Sequence, residues 1–207
     1  MRRLGVIFGP MCSGKTASLI RFALDSSPAQ RVVIKHAADE RILGGGAASP
    51  LQLRSRTGAS LPVDTRVASL LSVPPRPHTL FVVDEAQFFP DLLRFWAALA
   101  PLPGAALLAA GLDRDFRRAP FGETLALAAA ARALGDGGGL ALPLFARCCH
   151  RGQPHGAACG APAPFTQRLA AGGSGVVVVG GADFYRPACE AHHSAEPIEG
   201  AAWAEFS

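Results

Sequence analysis

Short apolar runs and more polar stretches alternate along the chain, and turn-forming residues separate them. Continuous apolar runs of strand length are typical of strands buried on both faces of a parallel sheet. They predict strands at 4–8, 31–35, 79–83, 105–111, 142–146 and 176–180. The stretches between them predict helices at 15–24, 67–71, 90–99 and 121–134. Because strands alternating with helices favour parallel pairing with right-handed crossovers, the predicted fold class is α/β.

The remaining segments are predicted to be irregular. Residues 43–50 are expected to form a flexible loop, and 51–63 an irregular segment or a hairpin around Thr57 and Gly58. A turn is expected at 172–175. Residues 147–164 are rich in Gly, Pro, Cys and His and have neither helical nor strand periodicity.

Length and composition limit the number of domains and the kinds of partner that can be expected. A chain of 207 residues with 49% hydrophobic content fits one ordinary α/β domain with a small appended module. The net charge of +4 is spread along the chain, so it suits a protein that handles nucleotides but predicts no specific nucleic-acid partner.

The ends and the cysteines suggest where the protein works. The N-terminus leads directly into the first strand without a secretory signal, and no apolar run approaches the roughly 18–20 residues of a membrane helix. We therefore expect a cytoplasmic protein with no membrane partner. In that setting the five Cys are interpreted as metal ligands or free thiols rather than disulfides.

The first chemical motif is GPMCSGKT, which follows the first strand and opens the first helix. It matches the G-x-x-x-x-G-K-[ST] phosphate loop, in which backbone N–H groups and the helix N-terminus hold phosphate oxygens. Lys15 is expected to reach the β- and γ-phosphates, and the Thr16 hydroxyl is expected to bind Mg²⁺. The predicted phosphate-binding residues are Gly9, Pro10, Met11, Cys12, Ser13, Gly14, Lys15 and Thr16.

A second motif, VVDEAQFF, spans residues 82–89. An Asp at the end of an apolar strand is where nucleotide-binding proteins place the carboxylate that supports Mg²⁺, so Asp84 is the candidate. Side chains of adjacent residues diverge, so Glu85 can face an acceptor hydroxyl as a general base. Gln87 is a further candidate for supporting the Mg²⁺ or the phosphates.

Six motifs in this order resemble the type II thymidine kinases, the family of cellular, bacterial and poxvirus enzymes. They are GPMCSGKT, VIKHAADER, VVDEAQFF, AGLDRDFRRAPFG, APFTQR and VVVVGGADFYRPAC. The resemblance implies a P-loop NTPase-like parallel sheet flanked by helices. It also implies Mg²⁺-dependent transfer of the ATP γ-phosphate to the 5′-hydroxyl of deoxythymidine.

The same resemblance assigns residues to roles. Catalysis would use Glu85 as general base, Lys15, and the Asp-x-Arg pair Asp39 and Arg41, whose Arg lies near the transferred phosphate. The nucleoside would bind in an apolar, aromatic pocket, held mainly by backbone groups of a lasso-like loop. The implied substrate-binding residues are Met11, Phe88, Leu112, Phe116, Phe121, Thr166, Val176, Val177, Val178, Val179, Gly180 and Tyr185. Since adjacent side chains point apart, at least one of Phe88 and Phe89 is expected to pack in the core.

The family also carries a structural Zn²⁺ in a small C-terminal module. Cys189-x-x-His192 resembles its second ligand pair, and Cys159 the second ligand of its first pair. The first ligand is displaced by an apparent insertion, which makes Cys148 the candidate and Cys149 the alternative. Two histidines, His150 and His155, remain further candidates, and His193 is expected to be a bystander. A Cys₃His set suits tetrahedral Zn²⁺, although free thiols without zinc remain the alternative.

These expectations define three segments. We predict a nucleotide-binding domain over 1–146, a zinc-binding and lasso-loop module over 147–193 and a flexible tail over 194–207. The resemblance further implies a homotetramer and feedback inhibition by thymidine triphosphate. Two alternatives remain: a broader deoxynucleoside kinase, and a non-catalytic P-loop zinc protein that binds nucleic acid.

Overall fold

The computed structural model describes residues 3–26, 30–38, 51–151, 157–169, 184–194 and 196. Its strands are β1 Leu4–Phe8, β2 Gln30–His36, β3 Gln52–Arg54, β4 Ser60–Pro62, β5 Thr65–Val67, β6 Thr79–Val83, β7 Ala106–Gly111, β8 Gly139–Pro143, β9 Ala146–Arg147, β10 Pro162–Ala163, β11 Phe165–Arg168 and β12 Tyr185–Ala188. Its helices are α1 Lys15–Asp25, α2 Leu92–Leu99, α3 Thr124–Ala133 and the single turn α4 Gly135–Gly138.

Six of these strands form one parallel sheet in the order β5-β2-β6-β7-β1-β8. Three antiparallel pairs, β3 with β4, β9 with β10 and β11 with β12, lie outside it. Parallel strands need crossover connections, which the helices between them supply. The predicted α/β class and the flanked parallel sheet are confirmed.

Side-chain alternation divides the strands between two faces of the sheet. On one face, alternate residues of β1, β6 and β7 pack with α2 and α3 in a single apolar cluster. Helix α2 enters this cluster through Leu92, Phe95 and Leu99, which recur at helical spacing. Helix α1 contacts β1 and β7 with buried residues that do not belong to the cluster, which places it on the other face.

The chain forms two compact units. The first comprises 1–8, 14–113 and 121–143 and contains the parallel sheet; the second comprises 9–13, 114–120 and 144–207. Among the described residues the second unit contains β9 to β12, with Ala163, Leu169 and Ala188 in a small core of its own. Two short segments from early and middle parts of the sequence therefore belong with the C-terminal unit.

Most predicted elements appear within a few residues of their expected bounds, and the hairpin in 51–63 is confirmed as β3 and β4. The helix expected at 67–71 is wrong. Val67 instead ends β5, which pairs with β2 at the sheet edge, and only a short 3-10 turn follows at Leu70–Ser72. Here strand pairing outweighs the weak local helix signal.

Three other bounds are corrected. Helix α3 begins at Thr124 rather than 121, since the amide of Phe121 bonds to Asp113 O and Gly122 has φ +60°. The strand expected at 142–146 lies earlier, at Gly139–Pro143, where it pairs in register with β1. The segment 147–164 contains the short strand β10, which pairs with β9.

Several predicted segments lie outside the described residues: the loop 43–50, the turn 172–175, the strand 176–180 and most of the tail 194–207. Within the described part of the chain, no helix has the length and hydropathy needed to cross a membrane.

Candidate functional site

The phosphate motif continues into the first turn of α1. Gly14 has φ +84°, and its carbonyl accepts the amide of Ser18, so it begins the helix in a left-handed conformation. Lys15 and Thr16 are the first two helical residues, and both are half-buried. An anion at this position would meet the positive end of the helix dipole together with the Lys15 ammonium group.

Residues 9–13 of the same motif belong to the second unit. Gly9 has φ +147°, and a Cβ on it would lie 2.2 Å from Leu144 O, so the position requires glycine. Cys12 takes a left-handed conformation with φ +62°, and Ser13 Oγ donates to Pro10 O at 2.9 Å. These features fold the segment into a tight loop, as the motif predicts.

Thr16 lies directly beside the carboxylate at the end of β6. Its hydroxyl donates to Asp84, at 3.2 Å from Oδ2 and 3.4 Å from Oδ1. Asp84 is buried, with 6% of its surface exposed. A hydroxyl and a carboxylate are hard oxygen donors of the kind Mg²⁺ prefers, so the pair fits the predicted role of holding that ion.

Glu85 turns away from its neighbour through a left-handed backbone with φ +52° and ψ +45°. This conformation is uncommon for a non-glycine residue, and such strain clusters at functional sites. The Glu85 carboxylate accepts a hydrogen bond from Gln87 Nε2 at 2.7 Å. The two adjacent acids thus have different partners, as the motif predicts.

Gln87 is the buried link between the ends of two strands. Its Oε1 accepts the amide of Leu112 at 2.9 Å, just after β7, while its Nε2 holds Glu85. Only 4% of Gln87 is exposed. A Cβ on Gly122 would lie 2.3 Å from the Gln87 carbonyl oxygen, and one on Gly111 2.9 Å from its Oε1. The Gln87 amide thus contacts Glu85 and the Leu112 amide, and its predicted support of the Mg²⁺ or the phosphates stays a prediction.

Aromatic residues of the predicted nucleoside pocket lie in both units. In the first unit Phe88 is half-buried and meets Phe121 edge to face, with ring centroids 5.8 Å apart. Phe88 also lies 5.6 Å from the ring of His36. Phe89 is fully buried in the core, which confirms that one of the adjacent Phe residues packs there.

In the second unit the described pocket residues are Met11, Phe116, Thr166 and Tyr185. The Thr166 hydroxyl accepts the Met11 amide at 3.0 Å. Thr166 and Tyr185 are buried residues of the paired strands β11 and β12. Phe116 is 3% exposed, and the guanidinium carbon of the buried Arg168 lies 5.1 Å from its ring centroid.

Four predicted zinc ligands are brought together. The ligand atoms of Cys148, Cys159, Cys189 and His192 all lie within 4.8 Å of one another. His192 Nδ1 is 3.5 Å from the Cys148 sulfur and 3.3 Å from that of Cys189. Tetrahedral Zn²⁺, with Zn–S of about 2.3 Å and Zn–N of about 2.0 Å, holds its ligands roughly 3.5–3.8 Å apart, so the cluster fits this ion.

The alternative ligands have other contacts. The buried Cys149 thiol points to Pro187 O at 3.8 Å and lies outside the cluster. Burial raises the pKa of Cys149 to about 11, and that of Cys148 also to about 11, so a metal ion is needed to hold either as thiolate near neutral pH. The His150 ring stacks on His192 with centroids 4.1 Å apart. His155 lies outside the described residues.

A polar cluster that was not predicted from the sequence follows the metal ligands along the chain. His193 Nδ1 accepts Arg118 Nε at 3.1 Å, and its Nε2 donates to Phe116 O at 2.9 Å. Burial, together with the Arg118 charge, lowers the pKa of His193. His193 is therefore outside the metal cluster, as expected, but it is not without contacts, because it bonds to Arg118 and Phe116. Arg118 lies in the motif AGLDRDFRRAPFG, which could have marked it as a functional residue. Its partner His193 could not be identified in this way, because it is 75 residues away in the sequence.

Some predicted site residues lie outside the described part of the chain. These are Asp39, Arg41, Val176, Val177, Val178, Val179 and Gly180. Their assignments stay predictions.

Comparison with known proteins adds an independent observation. A family model described as thymidine kinase matches residues 2–193. The chain is 36% identical to a thymidine kinase of Deinococcus deserti over 92% of this chain and 93% of that protein. It is 32% identical to the cytosolic thymidine kinase of Homo sapiens over 90% of this chain and 71% of that protein. It is 30% identical to thymidine kinase a of Arabidopsis thaliana over 91% of this chain and 73% of that protein.

Proposed function

Because this chain belongs to the thymidine kinase family, we propose that it transfers the γ-phosphate of ATP to the 5′-hydroxyl of deoxythymidine in a Mg²⁺-dependent reaction. The observation that carries this proposal is the divergence of the two acids after β6. Asp84 turns to the Thr16 hydroxyl, and Glu85 turns to Gln87. A kinase of this kind needs one carboxylate for the metal and another for the acceptor's proton.

Each residue then has a separate task. The backbone amides of residues 9–16 and the Lys15 ammonium bind the phosphates of ATP. Thr16 and Asp84 hold Mg²⁺, which supplies further neutralisation of phosphate charge when it is bound. Glu85 accepts the proton of the 5′-hydroxyl. Asp39 and Arg41 act near the transferred phosphate, where a guanidinium stabilises the charge that develops.

The nucleoside occupies a pocket with an apolar, aromatic lining. Its proposed residues are Met11, Phe88, Leu112, Phe116, Phe121, Thr166, Tyr185 and the backbone of 176–180. Aromatic faces suit a planar base, and few polar side chains are needed where backbone groups supply the hydrogen bonds. The cluster of Cys148, Cys159, Cys189 and His192 holds a structural Zn²⁺.

Other proposals rest on the resemblance alone. They are a cytoplasmic location, a homotetramer, feedback inhibition by thymidine triphosphate, and the division into a nucleotide-binding domain over 1–146, a module over 147–193 and a tail over 194–207.

The test is transfer of labelled γ-phosphate from ATP to each of the four common deoxynucleosides. We expect deoxythymidine to be the preferred acceptor, whereas comparable rates on the others would favour the broader deoxynucleoside kinase. Glu85→Gln is expected to lower kcat by a factor on the order of 10³ or more while both substrates still bind. Glu196→Gln changes an exposed acid in the same way and is the matched control. Near-normal turnover by Glu85→Gln would remove Glu85 from its proposed role.

A further inference from the structure

Arg118 lies at the centre of a polar cluster within the second unit, which we call the Arg118 clasp and define as Arg118, Phe165, Glu190 and His193. Its Nε donates to His193 Nδ1 at 3.1 Å, and its Nη1 donates to Glu190 Oε1 at 2.6 Å. Its guanidinium carbon lies 3.9 Å from the centroid of the Phe165 ring. One side chain thus joins residues 114–120 to β11 and to the segment after β12.

His193 extends the clasp to the backbone of Phe116. One ring nitrogen accepts from Arg118 and the other donates to Phe116 O at 2.9 Å, so the geometry requires the tautomer that carries its proton on Nε2. The ring also packs on Phe165, with centroids 5.2 Å apart. Both polar atoms of His193 are therefore committed to the segment 114–120.

That segment is a tight turn with internal support. Asp115 Oδ1 accepts the amides of Arg117 and Ala119, and the Asp115 amide donates to Ala119 O. The turn therefore keeps its own shape without the clasp. What the clasp adds is the placement of that turn relative to β11, which carries Thr166.

The other end of the clasp is continuous with the metal cluster. Cys189 and His192 contribute ligand atoms to that cluster, and Glu190 and His193 are interleaved with them in one five-residue stretch. The amide of His192 donates to Cys189 O, which closes the stretch into a compact turn. The turn that positions Cys189 and His192 therefore also positions Glu190 and His193 of the clasp.

We propose that Arg118, Glu190 and His193 are positioning residues that hold the turn carrying Phe116 beside β11, the strand carrying Thr166, and that they thereby set the affinity for the base of the nucleoside. This inference rests on the proposed function, because it takes Phe116 and Thr166 to be pocket residues. It assigns no step of phosphate transfer to the clasp. The three side chains act only through the position of the turn 114–120.

The test separates binding of the two substrates. His193→Ala is expected to raise the KM for deoxythymidine about tenfold while the KM for ATP and kcat change less than about threefold. His193→Gln retains one acceptor and one donor and is expected to restore the KM for deoxythymidine to within about twofold of wild type. Arg21→Lys makes the same change as Arg118→Lys in an exposed helical ion pair and serves as the matched control.

Two variants keep the proposal testable if His193→Ala fails to fold. Arg118→Lys keeps the charge but loses the planar fork that serves two acceptors, so it is expected to raise the KM for deoxythymidine severalfold. Glu190→Gln alters a side chain that is 73% exposed, so folding is not threatened, and it is expected to have a smaller effect in the same direction.

Other results would overturn the inference. An unchanged KM for deoxythymidine in these variants would do so, as would equal increases in both KM values. Loss of zinc from His193→Ala, measured by elemental analysis, would mean that the ring serves the metal site. If wild-type protein phosphorylates no deoxynucleoside, the proposed function fails; if it does and the variants bind normally, only the clasp inference fails.

Discussion

Replacement of Gln87 by Leu tests how the position of the general base is maintained. The two side chains have similar size, so the buried site stays filled while both hydrogen bonds are lost. These are the 2.7 Å bond to the Glu85 carboxylate and the 2.9 Å bond from the Leu112 amide. The change therefore removes the hydrogen bond by which Gln87 holds the Glu85 carboxylate.

The structure sets the size of the expected effects. A hydrogen bond to a charged group contributes about 1.5–3 kcal/mol, and an amide left buried without a partner costs about 1–3 kcal/mol. Because Glu85 can turn towards water, we expect a net loss of about 2–4 kcal/mol in the free energy of unfolding. A carboxylate no longer held in place should lower kcat by about 10–100-fold.

Steady-state kinetics over a range of pH, together with urea unfolding, measure both effects. In a Glu85→Gln background the same change should cost no further activity, because Gln87 acts through Glu85. Gln52→Leu, on the β3–β4 hairpin, controls for the chemistry of the substitution.

Two results would refute this reasoning. One is a kcat close to wild type in Gln87→Leu despite reduced stability. The other is the same fold-loss of kcat in the presence and absence of the Glu85 carboxylate, since Gln87 would then act on catalysis by a separate route.

Three further predictions concern the metal cluster and the stability of the fold. Cys148→Ser is expected to lose zinc in elemental analysis and Cys149→Ser to keep about one ion per chain; the reverse result would exchange their roles. Gly122→Ala, which forces a Cβ to within 2.3 Å of a backbone carbonyl at φ +60°, should destabilise the protein by about 2 kcal/mol or more in thermal unfolding, whereas Gly137→Ala, in open space, should not. Burial raises the pKa of Asp91, but hydrogen bonds to its carboxylate outweigh burial and lower the pKa below 3.8. The ionised Asp91 therefore stabilises the folded protein, and Asp91→Asn removes that contribution. In urea unfolding, the difference in the free energy of unfolding between wild type and Asp91→Asn should be largest at pH values above the ordinary Asp pKa. It should disappear as the pH falls through the lowered pKa of Asp91, and a difference that does not change with pH would contradict the assignment.

Motifs whose residues are close in sequence were predictable because local geometry determines their form. The phosphate loop needs a strand, a glycine turn and a helix in immediate succession, and β1 and α1 supply them. Thr16 and Asp84 were each assigned to Mg²⁺ from their own motifs, and the structure places the Thr16 hydroxyl 3.2 Å from Asp84 Oδ2. The motifs themselves also indicated the roles of Lys15, Thr16 and Asp84.

Contacts distant in sequence were not predictable in the same way. The two ends of the bond between Arg118 and His193 carry no local pattern that relates them, and the resemblance assigned neither a role. Gln87 stood inside a recognised motif, but its orientation depends on the Leu112 amide from another strand. Likewise, Val67 is in a strand rather than the expected helix because β5 pairs with β2 at the edge of the sheet. In each case a partner elsewhere in the fold determines the outcome.

The composition of the second unit has a consequence for synthesis on the ribosome. Residues 9–13 and 114–120 emerge early, but their partners lie beyond residue 144, and Cys189 and His192 come last. A nascent chain can form its parallel sheet before this unit is complete, whereas the unit itself must await the segment that carries Cys189 and His192. A message truncated before residue 189 would thus yield a chain that can form the parallel sheet but cannot complete the second unit, to which residues 9–13 belong.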